Sequence, residues 1–526
     1  MRGTGYRMTN AAFYLEATAL RSPDATAVLF RDRPYSYSQI HRWATKVAAG
    51  LTAQGYGPGD RIALCCNNRP SFLIAYFGIL MTGATVVNLL WTSTEQDFAF
   101  MLEDSEVDAF LCFDNYGDDA VAPRAIAAMR RVPRVKQLWI LPVDPEGAST
   151  VKGFPSLADL MKGQPERFAI RHFEREDPAL VVYTSGSTGK QKGLEISAGA
   201  VAEVVNLTVP LFEIDHCRVR LSIFTMECMM SQLFLILQPV FLGQSVIYLE
   251  CENPETLIDK KNPGVVWQNI VDHGATFIVA VPSFYRWLLD HADGVRKEQV
   301  PLKLCISGGA ALPAAWEREF RERLGVQLRA GYGASETCAA LAWSWPSGGQ
   351  HEGYTGKILP GIEARIVDDN DNDLALTDRG HLLVRSPAMM TRYINRPDLT
   401  ATTMKDGWYH TRDIATFSSD GYLKIIGRMD SRITRGNEHI VPEVVESLLQ
   451  RHPAVSLAAV VAVPHPTYGQ DGKAFVTLKQ KKAIDAQALL DWLRGELPIG
   501  QAPGQIEIRD ALPMTNTGKI ARHMLS

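Results

Sequence analysis

The sequence predicts an α/β fold: a large N-terminal domain of layered α/β subdomains that ends in a small β-rich subdomain, followed by a small α+β C-terminal domain. Size is the first reason. A chain of 526 residues with 46% hydrophobic and 21% charged side chains exceeds what one core usually organises. The second reason is alternation: short apolar or β-branched runs (Ile62 to Cys66, Thr85 to Leu89, Leu180 to Tyr183, Ser245 to Leu249, Phe277 to Val281, Lys303 to Ser307) interleave with amphipathic stretches such as Tyr37 to Ala53 and Ala315 to Leu324. That is the pattern of α/β layers with mainly parallel strands. The third is a change of texture near Gly361, where closely spaced strands and Asp/Asn/Gly turns begin, as at Asp368 to Asp373 and Ser418 to Gly421.

Taken in order, the first element that needs a decision is Ser71 to Thr94, which carries no charge. Phe72 to Trp91 is long enough to raise the question of a membrane span. Thr82-Gly83 breaks the run after a helix-length stretch and Val86-Val87 then reads as a strand, so a buried helix-turn-strand is expected, with no membrane span. The N-terminal domain is placed at residues 8–429, its β-rich part at about 361–429, and the C-terminal domain at 430–526 with Asp430 as the boundary. In that last domain a helix is expected over Pro442 to Arg451, strands over Leu457 to Val463 and Lys473 to Leu478, and a second helix over Asp485 to Leu497 with Asp485 as N-cap.

Charge excludes one class of partner. Lys plus Arg total 54 against 58 for Asp plus Glu, so no basic excess attracts phosphate backbones, and nucleic acid is not an expected partner. The eight cysteines form no CxxC pair and no metal-like Cys/His spacing, and several lie in apolar runs, which suits buried thiols in a reducing compartment. Met1 to Asn10 lead into no sustained apolar stretch, so a secretory signal is not expected and a cytoplasmic location is; Met8 serves equally well as a start.

The strand-like run Ala179 to Thr184 delivers the chain into Ser185-Gly186-Ser187-Thr188-Gly189-Lys190-Gln191-Lys192-Gly193. Glycines let backbone amides approach phosphate oxygens, hydroxyls add donors, and lysine adds charge. A Walker loop needs GxxxxGK[ST]; here Gly186 and Gly189 are too close and no Ser or Thr follows the lysine, which sets a Walker-type kinase aside. Composition alone leaves a flexible Gly/Ser surface loop as the commoner reading.

The same stretch resembles the YTSGTTGxPKG signature of the adenylate-forming superfamily, which includes acyl-CoA synthetases, luciferases and peptide-synthetase adenylation domains; Ser187 replaces a common Thr and Gln191 a common Pro. Further motifs follow in the family's order from about Ala25 to Leu525. Ile306-Ser-Gly-Gly-Ala-Ala-Leu-Pro313 is similar to the adenine-side strand-turn, and Gly331-Tyr-Gly-Ala-Ser-Glu-Thr337 to the GYGxTE element. Gly407-Trp-Tyr-His-Thr-Arg-Asp413 with Gly421 to Arg428 resembles GWxxTGD and GRxD, and Leu512 to Lys519 resembles PxTxxGK.

The resemblance implies roles. Thr184, Ser185, Gly186, Ser187, Thr188, Gly189 and Lys192 would cradle the phosphates of ATP, with Ser335 as a further donor; Gly309, Ala310, Ala311, Gly331, Tyr332 and Gly333 would flank adenine. Asp413 and Arg428 would grip the ribose, and Glu336, a hard oxygen ligand, would coordinate Mg2+. Lys519 would enter the site only during adenylation, as the mobile C-terminal domain turns about a hinge at Asp430. Without these motifs, core packing for the Tyr, a solvated surface for the Glu and Lys, and a turn for the Asp would be the ordinary readings.

The implied activity is ATP-dependent activation of a small carboxylic acid to acyl-AMP with release of pyrophosphate, then transfer to a thiol, most often coenzyme A. Departures bear on the second half. Thr434 stands where relatives have lysine, Asn437 where they have a glycine that gives pantetheine room, and His439 where they have asparagine; Arg392 and Arg412 replace common glycines. The acid pocket, where relatives carry a His segment, reads Phe224-Thr-Met-Glu-Cys-Met-Met-Ser-Gln232. Glu227, Cys228, Met229 and Gly308 are its candidate lining: Glu227 meets an amine, a hydroxyl or backbone, and the methionines are either an adaptable wall or a core stripe. A hydrophobic, cyclic or aromatic acid is expected, a β-amino or medium-chain fatty acid being the other options. Two other readings stay open: a stand-alone adenylating enzyme that loads a carrier protein in trans or feeds a separate transferase, and a non-catalytic adenylate-binding regulator.

Overall fold

The computed structural model describes residues 9–115, 120–185, 191–211, 217–249, 263–344, 351, 353–435, 438–479, 482–497, 501–515 and 519–525. Among these residues the strands form three sheets, of fourteen, seven and five strands.

The seven-stranded sheet grows from the first apolar runs. Arg61–Cys65 lies between Thr85–Asn88 and Ala109–Phe113, parallel to both, with Ile62 opposite Val86 and Ala109. All five residues of Ala109–Phe113 are buried, as expected where helices cover both faces of a parallel sheet. The helix Tyr37–Ala53 starts where Ser36 and Gln39 close a reciprocal capping box. The helix Pro70–Met81 has proline in its first turn, where no amide partner is lost, and all its residues are buried. It is about 18 Å long, and the chain turns at Thr82-Gly83 into Thr85–Asn88, the helix-turn-strand expected of this uncharged run. No described helix is long and apolar enough to cross a membrane.

Pro178–Ser185 joins this sheet parallel to Thr85–Asn88, and Gln191–Ser197 pairs antiparallel with it, so the strands on either side of the phosphate-loop sequence lie side by side with Ser185 opposite Gln191. The return strand was not evident in the sequence.

In the fourteen-stranded sheet, Leu304–Ser307 and Gln327–Tyr332 run parallel and end side by side, Ser307 opposite Ala330. Their exits carry Gly308-Gly309 and Gly333 to Glu336 to the same sheet end, the end at which open parallel sheets bind ligands. Gln327–Tyr332 also pairs antiparallel with Ala342–Trp343, and through Gly356–Ile358 the sheet continues into Tyr422–Arg428, Trp408–Phe417, Gly380–Arg385 and Glu363–Val367. The β-rich region is thus hydrogen-bonded into the large domain rather than set beside it.

The small C-terminal domain has its own core, in which Val445 and Leu449 of the helix Pro442–Leu449 and Leu489 and Leu493 of the helix Ala486–Glu496 pack with Val455, Val460 and Val476. Asp485 caps its helix, accepting from the Ala488 amide at 2.8 Å. The domain meets the large one at Gly427, where an added Cβ would stand 2.5 Å from Val441 and 2.8 Å from Glu443. The seven described cysteines are free thiols, all buried except the half-buried Cys228.

Candidate active site

The exits of the two parallel strands form one wall of a cleft between the domains. Gly308 is buried, whereas Gly309, Ala310 and Ala311 are exposed on the cleft. Gly309 has φ +79°, a conformation that disfavours any side chain. On the neighbouring exit, a Cβ on Gly333 would stand 2.4 Å from backbone atoms of Ala339, so the turn that presents Tyr332 closes only on glycine.

Tyr332 donates its hydroxyl proton to Asp413 Oδ2. Asp413 is held opposite Arg428 across the strand pair, with the Arg428 guanidinium 3.4 Å from Oδ1. Burial, then the Asp413 charge, push the Tyr332 phenol far above its ordinary pKa, so it remains a donor. An irregularity in the strand places Asp413: Thr411 to Asp413 fall between the pairs Leu383–His410 and His381–Ile414, and Thr411 donates to Leu382 O at 2.8 Å while accepting from the Asp413 amide at 3.0 Å. Arg412 sits in this bulge with φ +63°, which is the physical reason a glycine suits the position.

Glu336 lies half-buried in the one-turn helix Ser335–Thr337. Its Oε1 accepts from the Tyr393 hydroxyl at 2.6 Å, and its carbonyl accepts from the Met390 amide at 2.8 Å. Tyr393 belongs to the short strand Arg392–Tyr393, which pairs with the strand leaving the phosphate loop, Arg392 opposite Glu195. Lys192, on that same strand, places its ammonium 5.6 Å from the centre of the Tyr393 ring. Thr184 lies opposite Lys192 across the hairpin. Gly186, Ser187, Thr188 and Gly189 lie outside the described residues, as does the Ser185 side chain.

Lys519 reaches this wall from the other domain. Its Cε lies 3.0 Å and its Nζ 3.4 Å from the point a Cβ on Gly309 would occupy. The Lys519 turn is closed by Thr515, whose amide donates to Lys519 O at 2.6 Å and whose hydroxyl accepts from the Lys519 amide at 3.1 Å. The side chain stays open to the cleft, yet the protein packed around the ammonium lowers its pKa; Arg428 adds to this, and Cys228, Glu336 and Asp413 oppose it. A polyanion in the cleft would favour the charged form.

The acid-pocket segment divides by side. Cys228 and Met230 are half-buried, and the Met230 sulfur lies 3.5 Å from where a Gly308 Cβ would stand. Glu227 and Met229 are buried behind them, 7% and 2% exposed. Thr225 donates to Glu227 Oε1, Oε2 has no partner among the described residues, and burial raises the carboxyl pKa to about 7. Thr434 is exposed in the strand Ile433–Arg435; Asn437 lies outside the described residues, as do the side chains of Asp430 and His439.

Sequence reasoning noticed Arg392 but missed its partners. Its guanidinium binds Glu195 at 3.0 Å, and Arg61 binds the same carboxylate at 2.7 Å. A buried-carboxylate clamp spread over three distant segments leaves no local motif; the one signal was an arginine where a glycine is usual.

Fold and site together set a lysine of the small C-terminal domain against a glycine turn at the end of a parallel sheet. The chain belongs to the AMP-binding enzyme family: the family model matches residues 15–394, and the model of the AMP-binding enzyme C-terminal domain matches residues 444–519. It is 28% identical over 508 residues to a feruloyl-CoA synthase of Amycolatopsis sp, covering 96% of each chain. It is 28% identical to a long-chain-fatty-acid–CoA ligase of Bacillus subtilis (strain 168), covering 97% of this chain and 93% of that one. Among solved structures, the anthranilate CoA ligase AuaEII in complex with anthranoyl-AMP superposes with a TM-score of 0.87 at 24% identity, covering 98% of this chain and 96% of that one.

Proposed function

We propose that this enzyme is an AMP-forming acid–thiol ligase that converts a hydrophobic, cyclic or aromatic carboxylic acid into acyl-AMP and then passes the acyl group to coenzyme A. The observation that carries the reading is Lys519 standing over Gly309, within electrostatic reach of Glu336 and Asp413. The feruloyl-CoA synthase and long-chain-fatty-acid–CoA ligase relatives support coenzyme A as acceptor.

A carboxylate is a poor electrophile. Its oxygen attacks the α-phosphorus of ATP, the bond to the bridging oxygen breaks, and pyrophosphate leaves with both bonding electrons. Lys519 balances the negative charge that accumulates on carboxylate and phosphate in that transition state. Thr184, Lys192, Ser335 and the loop from Ser185 to Gly189 hold the phosphates; Tyr332 lies along adenine with Gly309, Ala310, Ala311, Gly331 and Gly333; Asp413 and Arg428 hold the ribose. Glu336 fits a divalent cation, since it is a half-buried carboxylate with one oxygen already oriented by Tyr393. Mg2+ bound there with the nucleotide supplies charge neutralisation at the phosphates.

Transfer needs a different face, because a thiol must approach the carbonyl carbon while Lys519 withdraws. The C-terminal domain turns at Asp430, the thiol releases its proton to solvent, the thiolate sulfur bonds to that carbon, and AMP leaves with the C–O bonding pair. The half-buried Cys228 and Met230, with the Met230 sulfur beside Gly308, support a hydrophobic acid. The test is to incubate the chain with ATP, Mg2+, coenzyme A and a panel of aromatic, cyclic and fatty acids, following thioester by mass. Thioester with a subset of hydrophobic acids is expected; none with any acid would refute the ligase reading.

A further inference from the structure

Tyr393 joins two parts of the site that belong to different sheets. Glu336 takes two hydrogen bonds from residues 390–394: the Tyr393 hydroxyl on Oε1 at 2.6 Å and the Met390 amide on its carbonyl at 2.8 Å. The same segment is stitched to the strand leaving the phosphate loop, since the Thr391 amide donates to Glu195 O at 2.7 Å and the Ile394 amide to Gly193 O at 2.8 Å. Side chains lock the seam. Glu195, whose side chain is 4% exposed, receives Arg392 in a two-point contact, Nε to Oε1 at 3.0 Å and Nη2 to Oε2 at 3.1 Å, and Arg61 Nη2 at 2.7 Å. The Tyr393 ring is itself buried and its amide donates to Thr400 at 3.0 Å.

A carboxylate that takes a divalent cation must aim one oxygen. A phenol donating to Oε1 restricts the plane of the group and leaves Oε2 for a cation, the task of a partner that orients a metal ligand.

We propose that Tyr393 is a positioning residue for Glu336: its hydroxyl aims the carboxylate at the nucleotide-bound cation, and the Arg392–Glu195–Arg61 clamp ties that carboxylate to the phosphate-loop hairpin. The proposal rests on Glu336 being the cation ligand.

The test uses the full chain as Tyr393→Phe, a change that removes one oxygen and keeps the ring. Mn2+ binding in the presence of ATP, read by electron paramagnetic resonance, should weaken about 10- to 100-fold. The Mg2+ concentration for half-maximal acid-dependent exchange should rise in parallel while the rate at saturating Mg2+ recovers most of its wild-type value. Thioester formation from supplied acyl-AMP should not change. Glu336→Gln separates the two layers. Unchanged Mn2+ binding in Glu336→Gln would remove the ligand assignment and the proposal with it, whereas weakening in Glu336→Gln with wild-type binding in Tyr393→Phe would overturn the positioning role alone.

Discussion

Lys519 of the C-terminal domain occupies the space beside Gly309 of the large one, the lysine Nζ standing 3.4 Å from where a Cβ on the glycine would be. Two demands fall on that glycine: a left-handed backbone and room for the cation. Gly309→Ala meets both with a penalty, about 1 kcal/mol or more from the backbone and a displaced lysine. Acid-dependent adenylation is expected to fall about 10- to 100-fold, and transfer from supplied acyl-AMP to change less. Rates of the two half-reactions check this.

Lys519→Ala removes the cation itself. Acyl-AMP formation should fall by about two to three orders of magnitude, the usual loss of a group that stabilises transition-state charge, with transfer from supplied acyl-AMP largely intact. Equal loss in both half-reactions would contradict the turning of the C-terminal domain about Asp430.

Asp413 is the acceptor for Tyr332 and the partner of Arg428. Asp413→Ala should raise the KM for ATP about 10- to 100-fold, as expected for hydrogen bonds to a charged group. Tyr332→Phe keeps the aromatic face and should raise it less, which steady-state kinetics with varied ATP resolves.

Glu227 predicts a stability slope. Burial lifts its carboxyl from 4.5 to about 7, while the Thr225 hydrogen bond opposes the rise. Between those values the folded chain holds a proton that the unfolded chain has released, so the contribution of Glu227 is fully present below the unfolded value and is lost as pH rises through the folded one. Glu227→Gln should remove this slope, gaining on the wild type by roughly 3 kcal/mol between pH 5 and pH 8. Denaturant titrations at both pH values measure it.

Much of this site was legible because its constraints are local. Glycine at Gly309 and Gly333 answers a turn, Asp485 caps the helix that follows it, and Thr82-Gly83 ends a buried helix; each is decided by a few neighbouring residues. What the sequence hid is decided by pairing at long range. Arg61 and Arg392 meet on Glu195 from 134 and 197 residues away, and the hydroxyl that aims Glu336 comes from 57 residues downstream. Arg412 stands where a glycine is common, and its positive φ shows the backbone need that a glycine usually meets there.

Acid-dependent exchange of pyrophosphate into ATP isolates the adenylation chemistry, because it requires reversible acyl-AMP formation and nothing from the thiol step. Exchange should appear with particular hydrophobic acids, require Mg2+, and vanish in Lys519→Ala. Absence of exchange in the wild type with every acid, while ATP still binds, would contradict the account and leave an adenylate-binding protein without this chemistry.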